Sequence, residues 1–171
     1  MELLAKNLLI RKQATEAVRA LESCGVDAIL LKGVALMEIS PEYSFEREVE
    51  DIDILIKPGY LGRAVSALES AGYVRVPSDP FAFVSPDYPV PVDISEGLWY
   101  LSNEENKKVF DNSLRAGDFR ILSPADFLTH LYCHSQLHHA RNEKKWLRDI
   151  EVLKTVFYSN ASETFLLHLS T

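Results

Sequence analysis

The stretch Asp51-Ile-Asp-Ile-Leu-Ile56 constrains this chain more than any other. In an extended strand residues two apart share a face, so Ile52, Ile54 and Ile56 point one way and Asp51, Asp53 and Leu55 the other. Aspartate is depleted in strands, and an unpaired carboxylate is costly to bury, so the acidic face needs a partner or solvent. Two readings of the dyad stay open. One is a strand end with two solvated acids. In the other, a hard cation such as magnesium takes both carboxylates, which can hold two ions bridged by phosphate oxygens.

A third acid sits alone in an apolar run, Val92-Asp93-Ile94. If that strand lies beside the first, the three carboxylates form a cluster suited to two-metal phosphoryl transfer. Asp51 and Asp53 would bind both ions, and Asp93 the ion that activates an attacking hydroxyl, whose proton it takes. A structural salt bridge is the alternative role for Asp93. Upstream, Leu30-Leu-Lys-Gly-Val-Ala-Leu36 places Lys32 and Gly33 between a buried strand and a helix start. Glycine lets backbone N–H groups approach an anion, a helix N-terminus favours negative charge, and Lys32 adds a point charge. A plain turn is the alternative here. Neither Gly-x-x-x-x-Gly-Lys-Ser/Thr nor Gly-x-Gly-x-x-Gly occurs.

Around these motifs the periodicity predicts a helix over 3–24 with Gly25 as its cap, and a short strand over 26–31. A short helix over 34–39, a loop over 42–50 and a helix over 60–70 follow, with Gly72 near the last helix's end. Strands are expected over 73–76, 81–84 and 90–94, the last beginning at a sheet edge because Pro89 and Pro91 lack backbone donors. A helix over 103–114 and an extended piece over 118–122 come next. Ser123-Pro-Ala-Asp126 then carries a helix-start signature for a long helix to about 139. A second C-terminal helix is expected over 141–158, with a looser tail after it. The order is that of an α+β fold, in two parts: an α/β core over 1–122 and a C-terminal helical segment over 123–171 packed on it.

Composition excludes several classes. With 171 residues and 47% hydrophobic content, the chain supports one sizeable core and has no need of a disulfide framework. Lys and Arg number 18 against 25 acids, a net charge of −7, so extended DNA binding is not expected. No stretch approaches the length of apolar residues a membrane span needs, and the N-terminus lacks the order of a secretory signal, so a cytoplasmic location is expected. Cys24 and Cys133, each within a helical stretch, read as buried reduced thiols.

The motifs, in this order, resemble the DNA polymerase beta-like nucleotidyltransferase superfamily, in particular its uncharacterised prokaryotic branch. The resemblance rests on Leu30-Leu-Lys-Gly33, on Arg47 four residues before Asp51-Ile-Asp53-Ile-Leu-Ile, and on Val92-Asp93-Ile94. It continues through Asp126-Phe-Leu, His130-Leu-Tyr-Cys-His134 and Lys145-Trp-Leu-Arg-Asp149-Ile. It implies a small mixed sheet flanked by helices, magnesium on Asp51 and Asp53 with Asp93 as third acid, and nucleoside triphosphate near Gly33. The implied reaction transfers a nucleoside monophosphate to an acceptor hydroxyl and releases pyrophosphate; the acceptor is a small molecule, a protein or an RNA end. Lys32, Gly33, Arg47, Lys145 and Arg148 are the candidate nucleotide-binding residues. Three departures stand out: Glu50 where Gly is frequent, Ser95 where His is frequent, and Val34 where Gly or Ser is usual. Many relatives are also longer, so an acceptor-binding portion is expected to be missing.

Two further features bear on function. His130, His134 and His138, with Cys133 and His139 beside them, make a stripe at helical spacing, but the Glu of His-Glu-x-x-His is absent, so helix packing or a groove lining is favoured over zinc. Arg141, Lys144, Lys145 and Arg148 form a basic cluster that is either a solvated helix face or a counter-charge for triphosphate. Trp146 and Leu147 are expected in the core. The competing functional class is a catalytically inactive relative that binds nucleotide or a protein, motivated by the departures at Glu50, Val34 and Ser95.

Overall fold

The computed structural model describes residues 2–137 and 143–158. Helix α1 (Leu3–Ser23) leads through Gly25, whose φ of 71° supplies the left-handed turn, into strand β1 (Ala28–Leu30). Helix α2 (Lys32–Ile39) follows, then a short 3₁₀ helix (Pro41–Phe45) and β2 (Ile52–Ile56). After α3 (Leu61–Ser70) come β3 (Val74–Val76), β4 (Asp79–Val84) and β5 (Val92–Glu96). Helix α4 (Asn103–Asn112) precedes the hairpin β6 (Leu114–Ala116) and β7 (Phe119–Ile121), and α5 (Pro124–Leu137) and α6 (Glu143–Tyr158) complete the described chain.

All seven strands form one mixed sheet in the order β3-β4-β5-β2-β1-β7-β6. β2 runs antiparallel to β1 and parallel to β5, and the register sets Asp53 directly opposite Asp93. Every residue of β2 is buried, so the strand carrying the acids is interior to the sheet. β5 is interior too, between β4 and β2, and starts only at Val92. The two prolines therefore lie before the ladder, where Pro91 still offers its carbonyl to the Ile52 amide at 2.9 Å.

Buried amides of α1 tie down the segments that lead into these strands. Asn7 Nδ2 donates to the carbonyls of Ser44 and Arg47, both at 2.7 Å, and Gln13 Nε2 donates to the Val90 carbonyl at 2.7 Å. Both amides lie where an apolar helix face would place leucine, and each satisfies loop carbonyls that the sheet does not reach.

Several expectations need correction. The mixed sheet flanked by helices is as expected, but the segment 114–121, read as a helix end and an extended piece, is a hairpin that adds two strands: Gly117, at φ 57°, makes the tight turn. The helix read as ending at 114 stops at Asn112, and α2 starts at Lys32 with no preceding turn. Cys24 is exposed, since it caps α1 instead of lying within it, and Cys133 is half-buried; both are free thiols. Trp146 is buried in the core as expected, whereas Leu147 is 64% exposed. The start of α5 matches its signature: the Asp126 amide donates to Ser123 Oγ at 3.3 Å, and that hydroxyl donates to Asp126 Oδ2 at 2.6 Å. His138, His139 and Arg141, and the tail from 159, lie outside the described residues. Among the described residues no helix is long and apolar enough to cross a membrane.

Candidate active site

Alternation builds the approach to the acids. From Glu46 to Glu50 exposure alternates, with Arg47 and Val49 buried and Glu46, Glu48 and Glu50 exposed. Each outward glutamate meets a cation from a helix: Glu46 pairs with Arg148 at 3.2 Å, Glu48 with Lys6 at 2.9 Å and Glu50 with Lys145 at 2.7 Å. The Lys145 hydrogen bond and charge lower the Glu50 carboxyl's pKa. Glu50, the acid in place of a frequent glycine, thus holds α6 against the strand entry.

Inward, the Arg47 guanidinium grips the fully buried Asp149 of α6, Nε to Oδ1 at 3.0 Å and Nη2 to Oδ2 at 3.2 Å. Tyr43 donates its hydroxyl to the same carboxylate at 2.8 Å, and Arg47 Nη1 donates to the Glu48 carbonyl. A bidentate arginine and a tyrosine donor together satisfy the oxygens of this buried carboxylate. Sequence reasoning singled out Arg47 for nucleotide. The structure shows it engaged across 102 residues with Asp149, a partner no local pattern points to.

Beyond Arg47 the three acids converge. Asp51, Asp53 and Asp93 each present a carboxylate oxygen within 4.8 Å of the others. Asp53 is buried, Asp51 and Asp93 half-buried. Lys32 Nζ donates to Asp53 Oδ1 at 2.5 Å. Burial raises the pKa of the Asp53 carboxyl, with the Lys32 charge opposing and Asp51 adding to the rise. Asp93 has no ammonium in contact; burial, then the charges of Asp53 and Asp51, push it up to about 6. Its Oδ1 is buried without a hydrogen-bond partner among the described residues. A buried, unpartnered carboxylate oxygen close to two further carboxylates is a donor set that fits a cation, and all-oxygen ligands suit a hard one.

Next to the acids is a cavity of about 120 Å³ lined by Lys32, Arg47, Glu50, Asp51, His134, Lys145 and Trp146. It joins α2, β2, α5 and α6. Gly33, directly after Lys32, is buried where a Cβ would come within 3.2 Å of Val49 Cγ2 and 3.8 Å of Arg47 Nη2, so close packing as well as any anion requires a small residue there. Arg148 borders a neighbouring cavity of about 360 Å³ with Tyr43, Glu46 and Lys144, and is half-exposed.

Among the described residues, Asp51, Asp53 and Asp93 are the group able to hold a metal; of the histidine stripe, His130, Cys133 and His134 are described and form no such group with one another. His130 is buried with Nδ1 3.4 Å from the Tyr100 hydroxyl, and burial lowers its pKa to about 3, with the Lys32 charge acting in the same direction. His134 meets the Trp146 ring edge-on at 4.8 Å between centroids. Helix packing accounts for both rings, and His134 also faces the cavity.

Comparison with known proteins fits this geometry. Residues 2–168 match a family model described as uncharacterised nucleotidyltransferase. The chain belongs to this nucleotidyltransferase family. No curated protein matches it. Among solved structures, an antigenic nucleotidyltransferase-like protein from Paracoccidioides brasiliensis is similar at TM-score 0.60 and 16% identity, covering 93% of this chain and 86% of that one. The antibiotic-resistance factor ANT(2'')-Ia in complex with adenylyl-2''-tobramycin is similar at TM-score 0.59 and 16% identity, with 93% and 97% covered. A solution structure of the same factor gives 0.58 and 14%, with 91% and 85% covered. At these identities the likeness shows a shared fold, the mixed sheet flanked by helices expected for a nucleotidyltransferase.

Proposed function

We propose that this nucleotidyltransferase transfers a nucleoside monophosphate from a triphosphate to an acceptor hydroxyl at Asp51, Asp53 and Asp93, with magnesium as its cation. The convergence of three carboxylate oxygens within 4.8 Å across two parallel strands carries the reading. Asp51, Asp53 and Asp93 are the residues that would hold the metal, two ions being the expected complement. Magnesium bound there supplies positive charge to the triphosphate oxygens and to the departing pyrophosphate.

The chain's own groups do the rest. Asp93 Oδ1, unpartnered, is placed to take the proton of an acceptor hydroxyl. The acceptor oxygen then bonds to the α-phosphorus, the bond from that phosphorus to the pyrophosphate oxygen breaks, and pyrophosphate leaves. Lys32, Lys145 and Arg47 border the cavity where a triphosphate's charge would be offset, with Gly33 next to Lys32 in the chain, and Arg148 adds positive charge one cavity away. Arg47, held by Asp149, acts there as a fixed charge. The adenylylated aminoglycoside bound to ANT(2'')-Ia is a precedent for a small hydroxyl-bearing acceptor on this fold.

Pyrophosphate release from ATP, GTP, CTP and UTP with magnesium, measured on wild type and Asp93→Asn, tests the reading. Release with at least one triphosphate, slowed at least about a hundredfold in the variant, is expected for loss of a general base. Triphosphate binding without any release would make the chain an inactive nucleotide-binding relative.

A further inference from the structure

Lys32 stands out at this site for two independent reasons. Its backbone φ is 48°, and no other non-glycine residue among those described has a positive φ. A side chain other than glycine is rarely held so, and such positions persist where the surroundings over-determine them. Here they do: the carbonyl of Asp53 receives the Leu31 amide at 3.0 Å, and the Asp53 carboxylate receives Lys32 Nζ at 2.5 Å. Backbone and side chain on either side of the strained residue are both fastened to one aspartate. The second reason is position: the same ammonium lines the cavity beside Asp51, Arg47 and Lys145, so it stands between the acids and the space for an anion. Only 14% of the Lys32 side chain and 9% of that of Asp53 are exposed, so the pair is little screened by solvent.

A divalent cation and an ammonium cannot share one carboxylate oxygen at such distances without strong mutual repulsion. The flexible stem of a lysine allows its charge to move while its backbone stays in place. We propose that Lys32 couples cation binding to phosphate binding: a cation entering at Asp53 displaces the ammonium, which turns into the cavity and meets the triphosphate. This rests on the reading of the three acids as a metal site. Cation alone then binds weakly, because it strips Lys32 of its partner; phosphate restores one. By reciprocity, nucleotide binds weakly until the cation has freed Lys32. Lys145 does not perform this role, because its ammonium is engaged by Glu50 and not by one of the three acids.

The test reads the lysine and the metal separately. In wild type labelled in its lysine side-chain nitrogens, the Lys32 ammonium resonance, assigned by its loss in Lys32→Met, should shift as magnesium saturates the protein without nucleotide. Manganese(II) affinity without nucleotide, read by electron paramagnetic resonance, should be about tenfold tighter in Lys32→Met than in wild type, within the usual range of site-to-site coupling. Lys32→Arg, which keeps the charge, should stay near wild type. Affinity for magnesium-ATP should fall about tenfold in Lys32→Met, opposite in sign to the manganese effect. A Lys32 resonance unmoved at saturating magnesium, or manganese binding no tighter in Lys32→Met, overturns the coupling while leaving the metal site standing. Manganese that binds neither wild type nor Lys32→Met, or binds Asp51→Asn/Asp53→Asn as well as wild type, overturns the metal site and the coupling with it. Should Lys32→Met fail to fold, the resonance is assigned by its loss in Lys32→Arg, and its response to saturating magnesium in wild type still decides the matter.

Discussion

Replacing Asp149 by asparagine isolates the contact that joins α6 to the strand entry. The side chain keeps its volume but loses its charge, leaving the Arg47 guanidinium, 7% exposed, without a counterion. Breaking a buried pair by removing one partner costs about 3–5 kcal/mol, much of it the desolvation of the remaining charge. Three hydrogen bonds at 2.8, 3.0 and 3.2 Å converge on this carboxylate, so the penalty belongs at the full range. With a urea m-value near 2 kcal/mol per molar, the unfolding midpoint should fall by about 2 M. Urea denaturation followed by circular dichroism measures it. Tyr43→Phe removes one donor to a charged acceptor and should cost about 1.5–3 kcal/mol in wild type. In the Asp149→Asn background it should cost much less, because the charge it served has gone. A midpoint change under about 0.5 M, or additive effects of the two substitutions, would refute the claim that Asp149 is the hub joining α6 to Arg47 and Tyr43.

Three further expectations follow from the charges around the site. His130 is neutral in the folded protein with its pKa lowered to about 3, whereas the unfolded imidazole takes a proton below about 6.5. Its contribution is present above pH 6.5 and lost on acidification, about 2 kcal/mol by pH 5; the stability difference between wild type and His130→Gln, measured at each pH, should shrink over that interval. Asp93, with its pKa raised to about 6, behaves in the opposite sense: without metal, the folded protein gains a proton the unfolded chain releases, so its contribution falls as pH rises through 6. Magnesium binding should therefore weaken about tenfold per unit below pH 6, checked by calorimetric titration at pH 5, 6 and 7.5. Asp53→Asn, isosteric but uncharged, should remain folded by circular dichroism while losing pyrophosphate release; unchanged turnover would remove Asp53 from the metal site.

Local pattern made much of this molecule legible. Alternation in Asp51-Ile-Asp-Ile-Leu-Ile56 placed both acids on one face, and the apolar flanks of Asp93 placed it in a strand, whose position beside β2 only the structure gives. The positive φ values at Gly25 and Gly72, and the hydroxyl cap at Ser123, occur where turn chemistry requires them. What escaped was long-range pairing. Arg47 reads as a free cation until Asp149 is seen against it, and Lys32 reads as a phosphate ligand until Asp53 is seen at 2.5 Å. The hairpin at Gly117 was hidden because its strands, three residues each, are too short to show a period. Leu147 shows the same limit: beside the buried Trp146 it shares an apolar string, but adjacent helical residues point about 100° apart and α6 buries only one of them.

The most direct test of the account is a thermal-shift measurement with ATP, GTP, CTP and UTP, each with and without magnesium, on wild type and on Asp51→Asn/Asp53→Asn. Stabilisation that needs both a triphosphate and magnesium, and disappears in the double variant while that protein stays folded, is the predicted result. Stabilisation that survives without the two carboxylates, or its absence with every triphosphate in a folded wild type, would contradict a metal-assisted nucleotide site at Asp51 and Asp53.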